Sequence, residues 1–382
     1  MSKSNYKRLG DYIREVNVRN RDLKVTKLMG VNMGKFFMPS VANVIGTDLS
    51  NYKIVDKNQF ACNLMHVGRD EKIPMAIKTD ADKIIVSPAY FVFEVIPPVE
   101  TVCTPSLRPE YLMMWFRRPE FDRNAWFYTD ADVRGGMNKE ALLDMRLPIP
   151  SIAEQQRIVA EYEALSRRIA INEQICTKLE ETATALYRKM FVDNIDKENL
   201  PEGWRMGTLG DVAEITMGQS PDGETYNEVG DGMIFYQGRT DFGNRFPSIR
   251  MFTTDPKRFA KKGDILLSVR APVGDINIAP HDCCIGRGIA SIKSKINCNG
   301  LVFYTLMNLS KAFNVSDGTG TIFGSINKDE LHELKVIVPK ECSVSEFEKQ
   351  VKTIDNTYKS IDFQIKSLKE LQSLLLAKIV RK

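Results

Sequence analysis

The sequence predicts an α+β protein. Two tandem strand-rich modules are separated by two long helices that form an antiparallel coiled coil, in a pseudo-twofold internal repeat. Three observations predict this. First, Gly135-Gly-Met-Asn-Lys-Glu-Ala-Leu-Leu-Asp-Met-Arg-Leu-Pro-Ile-Pro150 returns without a gap as Gly324-Ser-Ile-Asn-Lys-Asp-Glu-Leu-His-Glu-Leu-Lys-Val-Ile-Val-Pro339, an offset of 189. Second, a long heptad pattern follows each copy and keeps the same offset. Third, the stretches before each copy hold short β-branched and aromatic runs punctuated by Pro, Gly and Asn. The boundaries read as residues 1–150, 151–193, 194–342 and 343–382.

At 382 residues, with 43% hydrophobic and 27% charged side chains, the chain is large enough for two or more soluble cores. It holds no run of 18 apolar residues, so no membrane span is expected. Met1-Ser-Lys-Ser-Asn-Tyr-Lys-Arg8 has no apolar stretch of the secretory kind, and seven scattered cysteines without Cys-x-x-Cys spacing point to a cytoplasmic protein without disulfides or zinc. The net charge of +4 is small, but it is unevenly spread. Residues 1–35 carry nine bases against three acids, residues 239–270 eight against three, and residues 193–232 two against ten. That patchiness suits one phosphate-facing side and another turned away, although each cluster by itself also fits ordinary solvated surface.

In chain order, Lys83-Ile-Ile-Val-Ser87 and Tyr90-Phe-Val-Phe-Glu-Val-Ile96 read as strands. Residues 109–121 read as a short helix opened by Pro109 and stopped before Pro119, and residues 299–314 as its counterpart. The first long helix starts at Ser151, with Ser151 and Glu154 as a capping box. Its seam alternates Gln155, Tyr162, Ile169, Cys176, Ala183 and Met190 with Ile158, Leu165, Asn172, Leu179 and Leu186. The second helix has a corresponding box at Ser343 and Glu346. Its seam alternates Val344, Val351, Tyr358, Ile365, Gln372 and Ile379 with Phe347, Ile354, Ile361, Leu368 and Leu375. Neither helix is apolar all round, so each needs a partner strip, and the other helix is the simplest one. Packing of each helix on its own module is the alternative. About 40 residues per helix correspond to roughly 60 Å. The second module opens with the turn Leu200-Pro-Glu-Gly-Trp204, and Leu209-Gly-Asp-Val212 echoes Leu9-Gly-Asp-Tyr12 at offset 200. Residues have therefore been gained or lost inside the modules while the helices stayed in step.

The sequence carries little that suggests catalysis. It has no phosphate loop and no Gly-x-Gly-x-x-Gly after a strand. Asp317-Gly-Thr-Gly-Thr321 reads as a loop. Ser87-Pro-Ala-Tyr90 lacks most of the amino-methyltransferase motif and reads as a strand edge. Glu333-Leu-Lys335 could end a nuclease-like motif, but it belongs to the repeated element. His66, His281 and His332 form no metal or triad spacing. The positive signal is for nucleic acid. His66, Arg69, Lys72, Lys78 and Tyr90 in the first module, and Gln237, Arg239, Lys257, Arg258, Lys261, Lys262, Arg270 and Arg287 in the second, lie near strand ends or glycine turns. Arg and Gln match guanine and adenine edges, and Lys matches phosphates.

Gly263-Asp-Ile-Leu-Leu-Ser-Val-Arg-Ala-Pro-Val-Gly-Asp275, followed by Cys284-Ile-Gly-Arg-Gly-Ile-Ala-Ser-Ile292, resembles the DNA specificity subunit of type I restriction-modification systems. The Leu-Pro-Glu-Gly-Trp204 turn, Pro150-Ser-Ile-Ala-Glu-Gln-Gln156, and Asn58-Gln-Phe-Ala-Cys-Asn-Leu-Met-His-Val-Gly-Arg-Asp70 with Ser87-Pro-Ala-Tyr90 extend the resemblance over essentially the whole chain. One departure is that Pro339-Lys-Glu-Cys-Ser-Val-Ser-Glu346 lacks the Glu-Gln-Gln signature.

The resemblance implies a non-catalytic subunit without a cofactor of its own. Two target recognition domains would each read half of a split, asymmetric site in double-stranded DNA. The helices would form a ruler and dock two modification (methyltransferase) subunits, which bind S-adenosylmethionine. Restriction subunits using ATP and Mg²⁺ would join where present. Half-sites one turn or more apart, at about 34–36 Å per turn, would suit such a frame. Two further readings stay open at this stage: a self-contained DNA methyltransferase or nuclease, and a coiled-coil spacer whose modules bind proteins.

Overall fold

A computed structural model describes residues 6–42, 46–65, 67–97, 106–129, 135–193, 195–314 and 325–379. The chain divides into two compact units, residues 1–173 with 363–382 and residues 174–362. This division cuts both long helices instead of falling at their ends.

The first module runs β1 (Tyr6–Arg8), β2 (Ile13–Glu15), β3 (Met29–Val31), β4 (Phe37–Pro39), β5 (Lys53–Val55), β6 (Gln59–Cys62), α1 (Val67–Asp70), β7 (Met75–Ile77), β8 (Ile84–Val86), β9 (Phe91–Val95), α2 (Pro109–Phe116), α3 (Pro119–Phe127), α4 (Lys139–Asp144) and β10 (Arg146–Pro148). Its main sheet has the order β2-β9-β6-β7, and β1 pairs with β10. The central strands β6 and β9 are largely buried and correspondingly apolar. Phe60 stacks on Phe93 at 4.9 Å, and both meet Phe116 edge-on. The helix expected over 109–121 ends at Phe116. Pro119 does not simply stop it but opens α3 as that helix's first residue, where a missing N–H costs nothing.

After α5 (Ile152–Phe191) the second module runs β11 (Arg205–Thr208), α6 (Leu209–Val212), β12 (Ala213–Met217), β13 (Tyr226–Asn227), β14 (Met233–Tyr236), β15 (Met251–Thr253), β16 (Phe259–Ala260), β17 (Ile265–Ser268), β18 (Ile276–Ile278), β19 (Cys283–Ile285), β20 (Ile289–Ser294), α7 (Asn299–Asn314), α8 (Lys328–Glu333) and β21 (Lys335–Val338). The last helix is α9 (Glu341–Lys378). The main sheet has the order β12-β20-β17-β18, and β11 pairs with β21. A second sheet, β13-β15-β14-β19-β16, stands where the described residues of the first module form the pairs β3–β4 and β5–β8 and the bridge Leu28↔Ile85. Leu200–Trp204 forms a turn, with the Trp204 N–H bonded to the Pro201 carbonyl at 2.9 Å.

The two modules share one frame strand for strand. Ile13↔Val95 corresponds to Ala213↔Ser294, Phe60↔Phe93 to Ile265↔Ile292, and Phe60↔Ile77 to Ile265↔Ile278. The offset is therefore 200 at the first of these strands, 205 at β6/β17, 201 at β7/β18 and 199 at β9/β20. It reaches 190 at the start of α2/α7 and 189 at the caps Asn138 and Asn327. Length changes lie between strands, where loops tolerate them, and the largest falls between β9/β20 and α2/α7. Where the first module has Pro119, the second has Leu309, and α7 runs on unbroken.

α5 starts at Ile152, with the Glu154 N–H bonded to Ser151 Oγ at 3.3 Å, as the sequence leads one to expect. α9 differs. It starts at Glu341, so Ser343 and Glu346 lie inside it and do not cap it. The Lys340 carbonyl already accepts from the N–H groups of Ser343 and Val344, which places the cap at Lys340, directly after Pro339. The missing Glu-Gln-Gln signature has a structural counterpart. Gln155 is fully buried and bonds the Arg108 N–H, the Ser106 carbonyl and the Pro150 carbonyl at 2.8–2.9 Å. At the second helix the corresponding position is Val344, and Glu348 instead accepts the Leu301 N–H at 2.7 Å.

Within the first unit the two long helices run antiparallel. Gln372 donates to Ser166 Oγ at 2.7 Å, Asn172 to Gln364 at 3.4 Å, and Lys369 to Glu173 at 2.8 Å. Within the second unit the Tyr187 and Phe347 rings meet edge-on at 6.0 Å. Ile158, Tyr162, Ile169, Phe347, Val351, Tyr358 and Ile365 are buried, and Leu165, Leu179, Leu186, Ile354, Ile361, Leu368 and Leu375 are half-buried. Toward the C-terminal ends the buried stripe moves on by one residue, from Leu186 to Tyr187, Met190 to Phe191 and Leu375 to Leu376. A helix of 3.6 residues per turn drifts in this direction against a 3.5-residue repeat. The start of one helix and the end of the other join each module core: Ile158, Val159, Tyr162, Leu376 and Ile379 in one, and Tyr187, Phe191 and Phe347 in the other. No helix of the described residues is long and apolar enough to cross a membrane.

Phe347 is fully buried against Tyr187, Phe191 and Tyr304. We expect Phe347→Ala to destabilise the second unit by about 3–5 kcal/mol. The half-buried Leu368→Ala should cost clearly less. Denaturant titration of both variants followed by circular dichroism reads the difference.

Candidate nucleic-acid interface

In the second module four strand connections converge at one end of the two sheets. They are Gly218–Ser220 after β12, Gln237–Arg239 after β14, Val269–Asp275 between β17 and β18, and Gly286–Gly288 between β19 and β20. Backbone bonds tie them together. Gly218 and Gln219 donate to the carbonyls of Ile289 and Ile285 at 2.9 and 3.0 Å, Gly286 to Tyr236 at 2.8 Å, and Val269 to Gly288 at 3.0 Å. The close approach depends on glycine, because a Cβ on Gly286 would lie 2.8 Å from the Gln237 carbonyl oxygen.

This crowded backbone presents Gln237, Arg239, Arg270 and Arg287, all exposed. Arg239 is paired with Asp275, and Arg287 Nε donates to Ser220 Oγ at 3.4 Å. Arg270 makes no ion pair among the described residues, and its backbone bridges to Ser325. The Gln237–Arg239 turn is braced from beneath. Buried Asp241 accepts from the N–H groups of Gln237 and Gly238 at 2.7 and 3.3 Å and from Arg250 at 2.6 Å. Asp241, Arg250, Asp275 and Ser220 are missing from the sequence-derived set. Their only signal is an acid or hydroxyl close to a turn, and that pattern is too common to single them out.

The remaining basic candidates of this module are not gathered there. Lys261 and Lys262 sit at the opposite end of β19, on Asp282. Lys261 Nζ donates to it at 2.8 Å and the Lys262 N–H at 2.9 Å. The Lys261 bond holds the Asp282 carboxyl below the usual range and raises the lysine in turn. Lys257 pairs with Asp255 at 2.5 Å. Arg258 lines a separate open groove along β12 with Lys295, Lys328 and His332.

The first module presents the same connections with other side chains. Asn63 donates to the Pro74 carbonyl as Ser268 does to Asp275, and Met137 to Leu64 as Ile326 does to Val269. Arg69 and Lys72 therefore occupy the connection that carries Arg270. Arg69 forks onto its neighbour Asp70 at 2.7 and 3.0 Å, which raises its basicity, and Lys72 is exposed without an ion pair among the described residues. Tyr90 occupies the connection that carries Arg287. It is half-buried, its hydroxyl accepts from the Val31 N–H at 3.2 Å, and it pins the β3–β4 hairpin. Lys78 differs from the surface position expected of it. Its side chain is only 4% exposed, paired with Asp80, and lies beyond the far end of β7, so it serves packing and not a surface contact. His66 lies outside the described residues.

Comparison with known proteins adds a family context. The family described as "Type I restriction modification DNA specificity domain" matches residues 201–373. The type I restriction enzyme MjaX specificity subunit of Methanocaldococcus jannaschii is 32% identical over 297 residues, covering 72% of this chain and 69% of that protein. The HindI specificity subunit of Haemophilus influenzae is 21% identical over 464 aligned positions, covering 97% of each chain. The solved type I restriction-modification S subunit from M. genitalium has the same fold, with a TM-score of 0.58 at 14% identity over 98% of this chain and 95% of that one.

Removing the brace beneath the Gln237–Arg239 turn tests whether that turn is held rigidly. Asp241→Ala should leave two backbone N–H groups and Arg250 without their acceptor. A local loss of about 1–3 kcal/mol is expected. It should appear as faster hydrogen exchange at residues 237–250, with the β17–β20 amides unchanged.

Proposed function

Since this chain belongs to the family of type I restriction-modification DNA specificity subunits, we propose that its two modules read the two halves of a split, asymmetric site in double-stranded DNA. The convergence of Gln237, Arg239, Arg270 and Arg287 on one end of the second module carries this reading, together with the matching connections of the first. One frame with the same presentation points and different side chains is what two unlike half-sites require. Arg can fork onto guanine, and Gln can bond adenine, through the major-groove edge. Lys72 suits a phosphate, which adds affinity without sequence information.

The chemistry then belongs to companions. We assign this chain no reaction and no cofactor of its own. Two modification subunits, carrying S-adenosylmethionine, would dock on the paired helices, and restriction subunits would bring ATP and Mg²⁺. The helices would fix the spacing between half-sites, and the assembly would work in the cytoplasm.

The test uses the chain assembled with its modification subunits, followed by mapping of methylated adenines. Exchange of residues 194–342 for another family member's module should change one half of the site and leave the other intact. A change in both halves would refute modular reading. Arg287→Ala should cost about 1–3 kcal/mol at one base position if the side chain meets a base edge. If it meets a phosphate, binding should weaken evenly and the salt slope fall by about one. Methylation by the purified chain alone would favour the enzyme reading instead.

A further inference from the structure

Each module buries one cation that leaves the same connection of the frame. Leu28, directly before β3, bridges in parallel to Ile85, as β14 pairs in parallel at Phe235↔Cys284, so the β3–β4 and β14–β15 connections are equivalent. In the second module that connection carries Gln237 and Arg239 at one end and Arg245 further along. Arg245 is 2% exposed. Its guanidinium lies 4.6, 5.7 and 4.8 Å from the ring centres of Phe303, Tyr304 and Tyr358. It donates to Asp355 at 2.6 Å and to the Tyr304 hydroxyl at 3.1 Å, and that hydroxyl donates to the same Asp355 oxygen at 2.9 Å. The backbone beside it is held as well. Ile278 donates to the Arg245 carbonyl at 2.9 Å, and Asn277 bonds both the N–H and the carbonyl of Gly243. In the first module the connection carries Lys35, 5% exposed. Its ammonium donates to Asp122 at 2.7 Å and to the Phe116 carbonyl, and lies 4.9 Å from the Phe121 ring centre.

Filling space does not need a charge here. A buried ion pair carries a desolvation cost that an apolar side chain of similar volume avoids. What the charge adds is direction: an ion pair with fixed hydrogen bonds holds its connection in one orientation. The anchors differ between modules. Lys35 reaches the short helices α2 and α3, whereas Arg245 reaches α7 and, through Asp355 and Tyr358, the long helix α9.

We propose that Arg245 and Lys35 are positioning residues, each clamping the readout connection of its own module, and that in the second module the clamp ties DNA selectivity to the long helix α9 through Asp355. This rests on the reading of the modules as half-site readers. Asp355 would thereby set the selectivity of one half-site without belonging to the surface that meets DNA.

The experiment compares wild type with Arg245→Met, Asp355→Asn and Lys35→Met, each assembled with modification subunits. Methylation rates are measured on DNA carrying single mismatches in either half-site, with the halves assigned by the module exchange. Arg245→Met and Asp355→Asn should each lower discrimination in the second module's half by about tenfold, the order of one lost base contact. The other half should be unchanged. Lys35→Met should do the reverse, and Arg245→Lys should restore part of the loss. Asp355→Asn keeps the side chain's shape and carries the test if Arg245→Met fails to fold. Variants that assemble and keep full discrimination, or lose it equally in both halves, overturn the proposal. If wild type itself discriminates in neither half, the half-site reading fails instead. Hydrogen exchange of residues 237–250 then judges the clamp separately, and unchanged exchange in Asp355→Asn and in any folded Arg245→Met sinks it.

Discussion

The structure depends on the apolar seams of the two long helices being covered. A helix with one apolar stripe and charged remaining faces is not stable alone in water, and removing each large seam side chain from water contributes about 1.5–3 kcal/mol. In each unit the stripe is covered twice. The other helix takes its middle, and the module core takes its end, as with Tyr162 and Ile379 in one unit and Tyr187 and Phe347 in the other. The expected coiled coil and the alternative of a helix packed on its own module are thus both present, at different positions along the same stripe. Polar seam residues find partners within the pair: Asn172 meets Gln364, and Gln372 meets Ser166. Such bonds favour one register over its neighbours.

On those helices stands a strand frame written twice. Its sheet order and pairing register are the same in both modules, while the offset moves between 205 and 189 from connection to connection. Strand pairing cannot slip by one residue without turning every side chain to the wrong face. Connections carry no such restriction. A frame of this kind can keep its presentation points and change what it presents. The connection that offers Arg270 in one module offers Arg69 and Lys72 in the other, and the one that offers Arg287 offers Tyr90.

Burial separates the basic residues into kinds that composition cannot distinguish. Arg270 and Arg287 are exposed on glycine-rich turns without an ion pair among the described residues. Arg239, Lys257 and Lys261 are exposed but paired with acids. Lys35, Lys78 and Arg245 are buried and hold connections in place. A lysine or arginine in a strand-rich segment reads the same in all three cases, and only its surroundings decide which it is. The sequence alone therefore places Lys78 among surface residues and carries no sign of the anchoring roles of Lys35 and Arg245.

The sequence by itself determined the repeated architecture, the two seams, the start of α5, the Leu200–Trp204 turn and the family resemblance. These features are local or periodic, and periodicity is what a one-dimensional string preserves. The start of α9, the second helix opened by Pro119, the gathering of four connections at one end of the sheets and the roles of Asp241, Arg245 and Asp355 were decided by tertiary structure. Each depends on groups brought together from distant positions. Asp355 and Arg245 lie 110 residues apart and bond at 2.6 Å. No spacing rule links such a pair, because the distance between them is set by the packing of a sheet, a helix and a loop, and not by the chain that joins them.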